Sequence, residues 1–149
     1  MKKIIVLFLS AMMAACVFCG CNRGIVEGDF YTPKDAYESG LLTREDLQTI
    51  ALYYNGREDS PDPIDARVAA SIRESAAQQE RLVNHTLEAK AEDYEILKFY
   101  GEYNGCYAVM LNYPYGQFPD VDVDEWEEIG GVRFHHTTHE PLEIWKSKG

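Results

Sequence analysis

Asp120-x-Asp122-x-Asp124 places three carboxylates at alternate positions of this 149-residue chain, a spacing that in a bent loop can converge on a hard cation. A helix-loop-helix calcium site also needs Gly at the sixth place and Glu at the twelfth; counted from Asp120, those places hold Glu125 and Gly131. If the segment is extended, the three Asp line a solvated edge while Val121 and Val123 point inward, and the charges discourage strand addition. His135-His136-x-x-His139 invites a zinc reading. Consecutive strand residues face opposite ways, however, so His135 and His136 cannot easily share one ion, and zinc wants three or four ligands. Cys106 beside a turn could serve as a thiol nucleophile, but its position on an apolar strand face fits a small buried hydrophobe better. There is no Gly-x-Ser-x-Gly elbow, Gly-rich phosphate loop or His-Glu-x-x-His pair. The sequence therefore predicts no catalytic residue, cofactor or metal, with Asp120, Asp122 and Asp124 the nearest candidates for a cation.

The aromatics suggest a different chemistry. Tyr100, Tyr107 and Tyr113 are expected to project from one sheet face, with Trp126 close by in sequence. Such a face offers rigid contact area with polar handles, suited to a protein partner or a glycan. The alternative is that residues 114–130 fold back and cover it.

The elements that must position these residues follow from local signals. Thr32-Pro33 predicts a short helix that Gly40 stops. Thr43 and Asp46 have capping-box spacing, with Leu42 and Leu47 at the staple positions. Leu47, Ile50, Ala51 and Tyr54 continue at helical spacing until Asn55-Gly56. A third helix is expected from Pro63, capped by Asp62, into the eighties, with Ile64, Val68, Ile72, Ala76, Leu82, Val83 and Leu87 on its apolar face. Residues 94–103 and 106–113 are β-rich runs joined by Asn104-Gly105, a strong two-residue hairpin signal. That turn predicts Tyr103 opposite Cys106, Gly101 opposite Ala108 and Phe99 opposite Met110. The uncharged face, with Leu97, Phe99, Gly101, Tyr103, Cys106, Ala108 and Met110, should meet the helices. After an irregular stretch over 114–130, a second hairpin is expected from Val132 to His136, turning through 137–141 and returning as Leu142 to Lys146. The expected fold class is α+β: two or three N-terminal helices on one face of a roughly four-stranded antiparallel sheet made of two hairpins.

Met1-Lys2-Lys3 followed by about a dozen apolar residues matches a secretory signal peptide, and the stretch is short for a membrane-spanning helix. Phe18-Cys19-Gly20-Cys21 predicts a lipoprotein cut that leaves a lipid on Cys21. Met13-Ala14-Ala15-Cys16 is the competing box, with Cys16 lipidated, and a plain secretory cut is the further alternative. The expected organisation is a signal peptide over 1–20, a tether over 21–31 and one domain over 32–149, a one-domain length. Two acyl chains would hold the chain stably at the outer face of the cell membrane. Removing residues 1–20 takes Lys2 and Lys3 and no acid from 14 basic and 25 acidic side chains, leaving 12 and 25, a formal charge of −13. So acidic a body excludes nucleic acid and an electrostatic grip on anionic lipid, leaving the membrane to the anchor. Three of the four cysteines lie at the export segment, so Cys106 has no body partner for a disulfide.

Asp35-Ala36-Tyr37, Gly40-Leu41-Leu42-Thr43, Lys98-Phe99-Tyr100-Gly101, Tyr103-Asn104-Gly105-Cys106 and Ile144-Trp145-Lys146 together resemble a family of small exported domains of unknown function from Gram-positive bacteria. The resemblance runs over most of residues 33–146, apart from 57–93 and 114–125, and implies no catalytic residue. The functional expectation is a lipid-anchored extracytoplasmic, non-enzymatic domain acting by protein contact. The alternative is a cation or small-ligand binder working through the acidic 120–128 segment.

Overall fold

Two threonines begin the helical part. In the computed structural model, which describes residues 26–115, 126–135 and 141–149, Thr32 Oγ1 accepts the Asp35 N–H at 3.1 Å and starts α1 (Pro33–Glu38). Thr43 starts α2 (Arg44–Tyr54) with a reciprocal box. Its hydroxyl accepts from the Asp46 N–H at 3.2 Å, and Asp46 Oδ2 accepts from the Thr43 N–H at 2.7 Å. Leu42, Leu47, Ile50 and Ala51 are buried, as the spacing predicts. The third helix, α3 (Ala66–Val83), starts later than expected. Asp65 rather than Asp62 takes the cap, because its Oδ1 accepts from both the Arg67 and Val68 N–H groups and so satisfies two open donors. The helix stops soon after Val83, where His85 takes a φ of 59°. Leu82, Val83 and Leu87, expected on the apolar face, are instead exposed at 69%, 64% and 78%.

Six strands follow the sequence as β1 (Gly28–Tyr31), β2 (Ile96–Tyr103), β3 (Cys106–Leu111), β4 (Trp126–Ile129), β5 (Val132–His135) and β6 (Leu142–Ser147). Four of them make an antiparallel sheet in the order β1-β6-β3-β2, and β4 and β5 form a separate two-stranded sheet. The α+β class stands, but the two-hairpin arrangement does not. The β2–β3 hairpin forms at Asn104-Gly105, whose φ values of 53° and 77° suit the primed turn. The expected hairpin of β5 with β6 is replaced by β4 with β5. Gly130 and Gly131, at φ 58° and 77°, supply a second primed turn between them. Part of the expected irregular stretch is thus strand. β6 joins the main sheet between β3 and β1, and β1 is built from the end of the expected tether.

The helices do not share one face. Tyr100, Cys106, Ala108, Met110, Leu142 and Ile144 pack towards α1, α2 and the β4–β5 hairpin. Val109, Leu111 and Trp145 pack against Ile72, Ala76 and Ala77 of α3. A two-sided sheet needs apolar residues on both faces, and β3 (Cys106–Leu111) has them without interruption.

The β2–β3 register holds at Tyr103–Cys106 and Gly101–Ala108, then departs from simple alternation. Phe99 pairs with Val109 and Lys98 with Met110, leaving Tyr100 as an extra residue. This bulge uses Gly101 at a φ of 118°, which L side chains rarely adopt. The Tyr103 hydroxyl donates to the Tyr100 carbonyl at 2.6 Å across it. The bulge puts Tyr100 on the α2 side and Phe99 on the α3 side, the reverse of the expected placement.

Candidate functional site

The bulge disperses the expected aromatic surface. Tyr100 is 2% exposed, within edge-on reach of Tyr54, with ring centroids 5.8 Å apart. Tyr107 is half-buried on the opposite face, against Trp145 and Phe99. Tyr113 packs on the same side as Tyr107, under α3. Trp126 alone is well exposed, at 46%, in the small sheet, where it meets the His135 ring at 4.7 Å and the Arg133 guanidinium at 4.8 Å. These four side chains do not form one surface. α3 packs over the Tyr107 face, and Tyr115 of the 114–130 stretch packs on the same side; residues 116–125 lie outside the described residues.

Cys21, Cys16, Asp120, Asp122, Asp124, His136 and His139 lie outside the described residues. His135 is half-buried in β5. Among the described residues, no group of three or more His, Cys, Asp or Glu side chains could hold a metal ion. Cys106 is buried with its Sγ 4.0 Å from the Leu41 carbonyl, and burial pushes its thiol up, against nucleophilic use. No described helix is long and apolar enough to cross a membrane.

The structure assembles a different site. Ala76 on α3 faces Leu111 and Tyr94, and its small side chain leaves a pocket of about 350 Å³ between α3, β1, β6 and the chain leaving β3. Strand alternation fixes its polar group. Leu142 and Ile144 point to the α2 side, so Glu143 must point to the α3 side with Trp145. There the Tyr113 hydroxyl donates to the Glu143 carboxylate. Glu143 keeps some exposure through the pocket mouth, but its Oε2 is sealed from solvent and has no hydrogen-bond partner. Desolvation pushes the carboxyl up to about 7, against the opposing pull of the Tyr113 bond. Tyr113 is itself held far above the ordinary tyrosine range, first by desolvation and then by the Glu143 charge.

The surroundings hold these groups in place. Asn112, next to Tyr113, accepts the Glu95 N–H and donates to the Asp93 carbonyl at 3.2 Å. The Tyr115 hydroxyl donates to Asp93 Oδ2, and the Tyr115 ring lies 6.4 Å from that of Tyr94. Glu80, one turn after Ala76, is 7% exposed at the pocket wall. Its two oxygens accept from Asn84 Nδ2 at 2.8 Å and Thr86 Oγ1 at 2.9 Å. Phe30 and Tyr31 of β1 add aromatic wall, and Asp35 stands exposed at the rim.

Sequence reasoning missed Glu143 because an acid in the returning arm of a terminal hairpin should face water. The available signal was Trp145 two residues on, which shares its face and needs cover. No family model, curated protein or solved structure matches this chain.

Proposed function

We propose that the chain is an exported, lipid-anchored binding module whose pocket between α3 and β6 takes a small ligand. One observation carries the reading: a concave site walled by Phe30, Tyr31, Tyr94 and Tyr113 has Glu143 and Glu80 among its lining. A mostly apolar cavity with a few convergent polar groups is the common form of a small-ligand site, and about 350 Å³ admits only a small molecule. The export part of the reading rests on the cationic and apolar start and on the Phe18-Cys19-Gly20-Cys21 box. The described lining holds no Ser, Cys or Lys, and the one hydroxyl beside a base, Tyr113 at Glu143, is held far above the ordinary tyrosine range by burial, so the module is read as non-enzymatic.

The pocket part is tested by a fragment screen read through amide and ring resonances. Shifts confined to Tyr94, Leu111, Tyr113 and Glu143 are expected, and a library that leaves all four unmoved refutes it. Intact-mass measurement of native material tests the anchor: a chain starting at a diacylated Cys21 is expected, and one still carrying Met1 refutes it.

A second reading, docking to a protein partner, draws on the exposed Leu82, Val83 and Leu87, of which Val83 lines the same pocket. Replacing Leu82 and Leu87 by Ser should leave fragment binding intact and weaken any partner complex formed at the cell surface.

A further inference from the structure

Away from the α3–β6 pocket, the arginines of this acidic chain gather at one place. A cleft of about 420 Å³ between α2 and the β4–β5 hairpin is lined by Gln48, Leu52, Arg57, Trp126 and Arg133, and no Asp or Glu is among its described lining. Gly131 lines it too, and a Cβ built there would lie 3.2 Å from an Arg44 guanidinium nitrogen, which brings a third arginine to the cleft. Local structure explains the grouping. Arg44, Gln48 and Leu52 recur every fourth residue along one side of α2. Val132 and Phe134 of β5 are buried, so strand alternation turns Arg133 outward, on the same face as Trp126. Among the described residues the ion pairs are Arg81–Glu74, Lys90–Glu92 and Lys148–Asp29, and none of them takes up Arg44, Arg57 or Arg133. Glu128 stands directly across from Arg133, yet the Arg133 guanidinium lies over the Trp126 ring, 4.8 Å from its centre.

We infer that this cleft is a docking surface for an acidic segment of a partner protein, whose carboxylates meet Arg44, Arg57 and Arg133. The inference goes beyond the ligand pocket and does not depend on it. Two features carry it. The first is charge complementarity: three arginines without an ion partner among the described residues surround a cleft with no acidic lining. The guanidinium fork matches a carboxylate with two parallel hydrogen bonds, and a fork already placed over a ring has less freedom to lose on binding. The second is residue type, since Trp and Arg dominate the binding energy of protein interfaces, and Trp126 is 46% exposed beside these arginines. The dimensions agree with an extended segment. From Arg44 to Tyr54, α2 rises about 15 Å, the reach of about five residues of extended chain. An anionic glycan fits less well, because the Trp126 ring is already engaged by Arg133 and by the His135 ring, 4.7 Å away, and so is not free for flat stacking on a sugar. The chain as a whole carries a formal charge of −11, so its long-range field opposes an acidic partner. A preference for acidic peptide must therefore arise from contact at this cleft.

The experiment is calorimetric titration of the full-length chain with pentaglutamate, acetylated and amidated at its ends, and with pentaglutamine of the same form. Pentaglutamate is expected to bind and pentaglutamine not. Arg57→Gln together with Arg133→Gln should weaken pentaglutamate about five-fold, the loss expected for two exposed charge pairs. Arg67→Gln together with Lys98→Gln removes the same charge at exposed positions elsewhere and should leave the affinity unchanged. All four side chains are exposed, so the folded state does not depend on them. Equal loss in both double variants overturns the assignment to this cleft, and so does binding of neither peptide or equal binding of both. Tighter binding of pentagalacturonate than of pentaglutamate overturns the partner class. Asp120, Asp122 and Asp124 stand shortly before Trp126 in the sequence. Pentaglutamate binding that appears only when all three are replaced by Asn would give the cleft to the chain's own acidic run and overturn docking of a partner. The fragment screen decides the α3–β6 pocket separately, whichever of these results is found.

Discussion

Glu143 ties stability to pH in a direction opposite to most carboxylates. The folded chain holds its proton up to about 7, whereas the ordinary value is 4.5. Between these values the unfolded chain binds fewer protons, so stability falls as pH rises through that window and levels off above it. A shift of this size corresponds to roughly 3 kcal/mol at full effect. Glu143→Gln has no proton to lose. Its melting temperature should exceed that of the unaltered chain at pH 8, and the gap should narrow towards pH 5, as followed by circular dichroism. A gap independent of pH would contradict the burial of the carboxylate. At this scale the sequence was least informative. The acids that stood out by spacing, Asp120, Asp122 and Asp124, lie outside the described residues, while the acid that lines the pocket stood in an ordinary alternating run. A residue's burial on a strand depends on what covers that face, and here the cover is α3, whose Ala66–Val83 span lies more than 50 positions away in the chain.

Elements governed by neighbouring residues were legible. The α2 capping box and the Asn104-Gly105 turn formed where residue chemistry put them, because each is closed within four residues. Departures arose where two local signals competed. Asp65 outbid Asp62 as a cap, and Gly130-Gly131 turned β5 back onto β4 before the longer 137–141 connection could pair it with β6. The Tyr100 bulge also had a local mark, since Gly101 interrupts an otherwise aromatic and aliphatic strand and an interior Gly often signals irregular pairing. Gly101→Ala should destabilise the fold by about 2 kcal/mol, the usual penalty for forcing a side chain into sparsely populated backbone space. An added Cβ would also lie 2.7 Å from the Tyr103 hydroxyl that closes the bulge. Denaturant unfolding measures the loss. A variant of unchanged midpoint would mean that the bulge does not need glycine.

For the whole molecule, the α+β class followed from helices preceding strands, but the layering did not. Both faces of the sheet are covered, with α1, α2 and the β4–β5 hairpin on one side and α3 on the other. Such pairing joins segments far apart in the chain, and local patterns carry no information about which face each segment will meet. β6 contributes Leu142 and Ile144 to one core and Trp145 to the other, and among the described strands it is β1's only neighbour in the sheet. Deleting residues 142–149 should therefore abolish the cooperative thermal transition, as scanning calorimetry would show. A sharp transition surviving the deletion would mean that the remaining strands form a core of their own. The position of β6 also bears on timing. Of the six described strands, β6 leaves the ribosome after the other five, so the four-stranded sheet cannot be complete until β6 has been made.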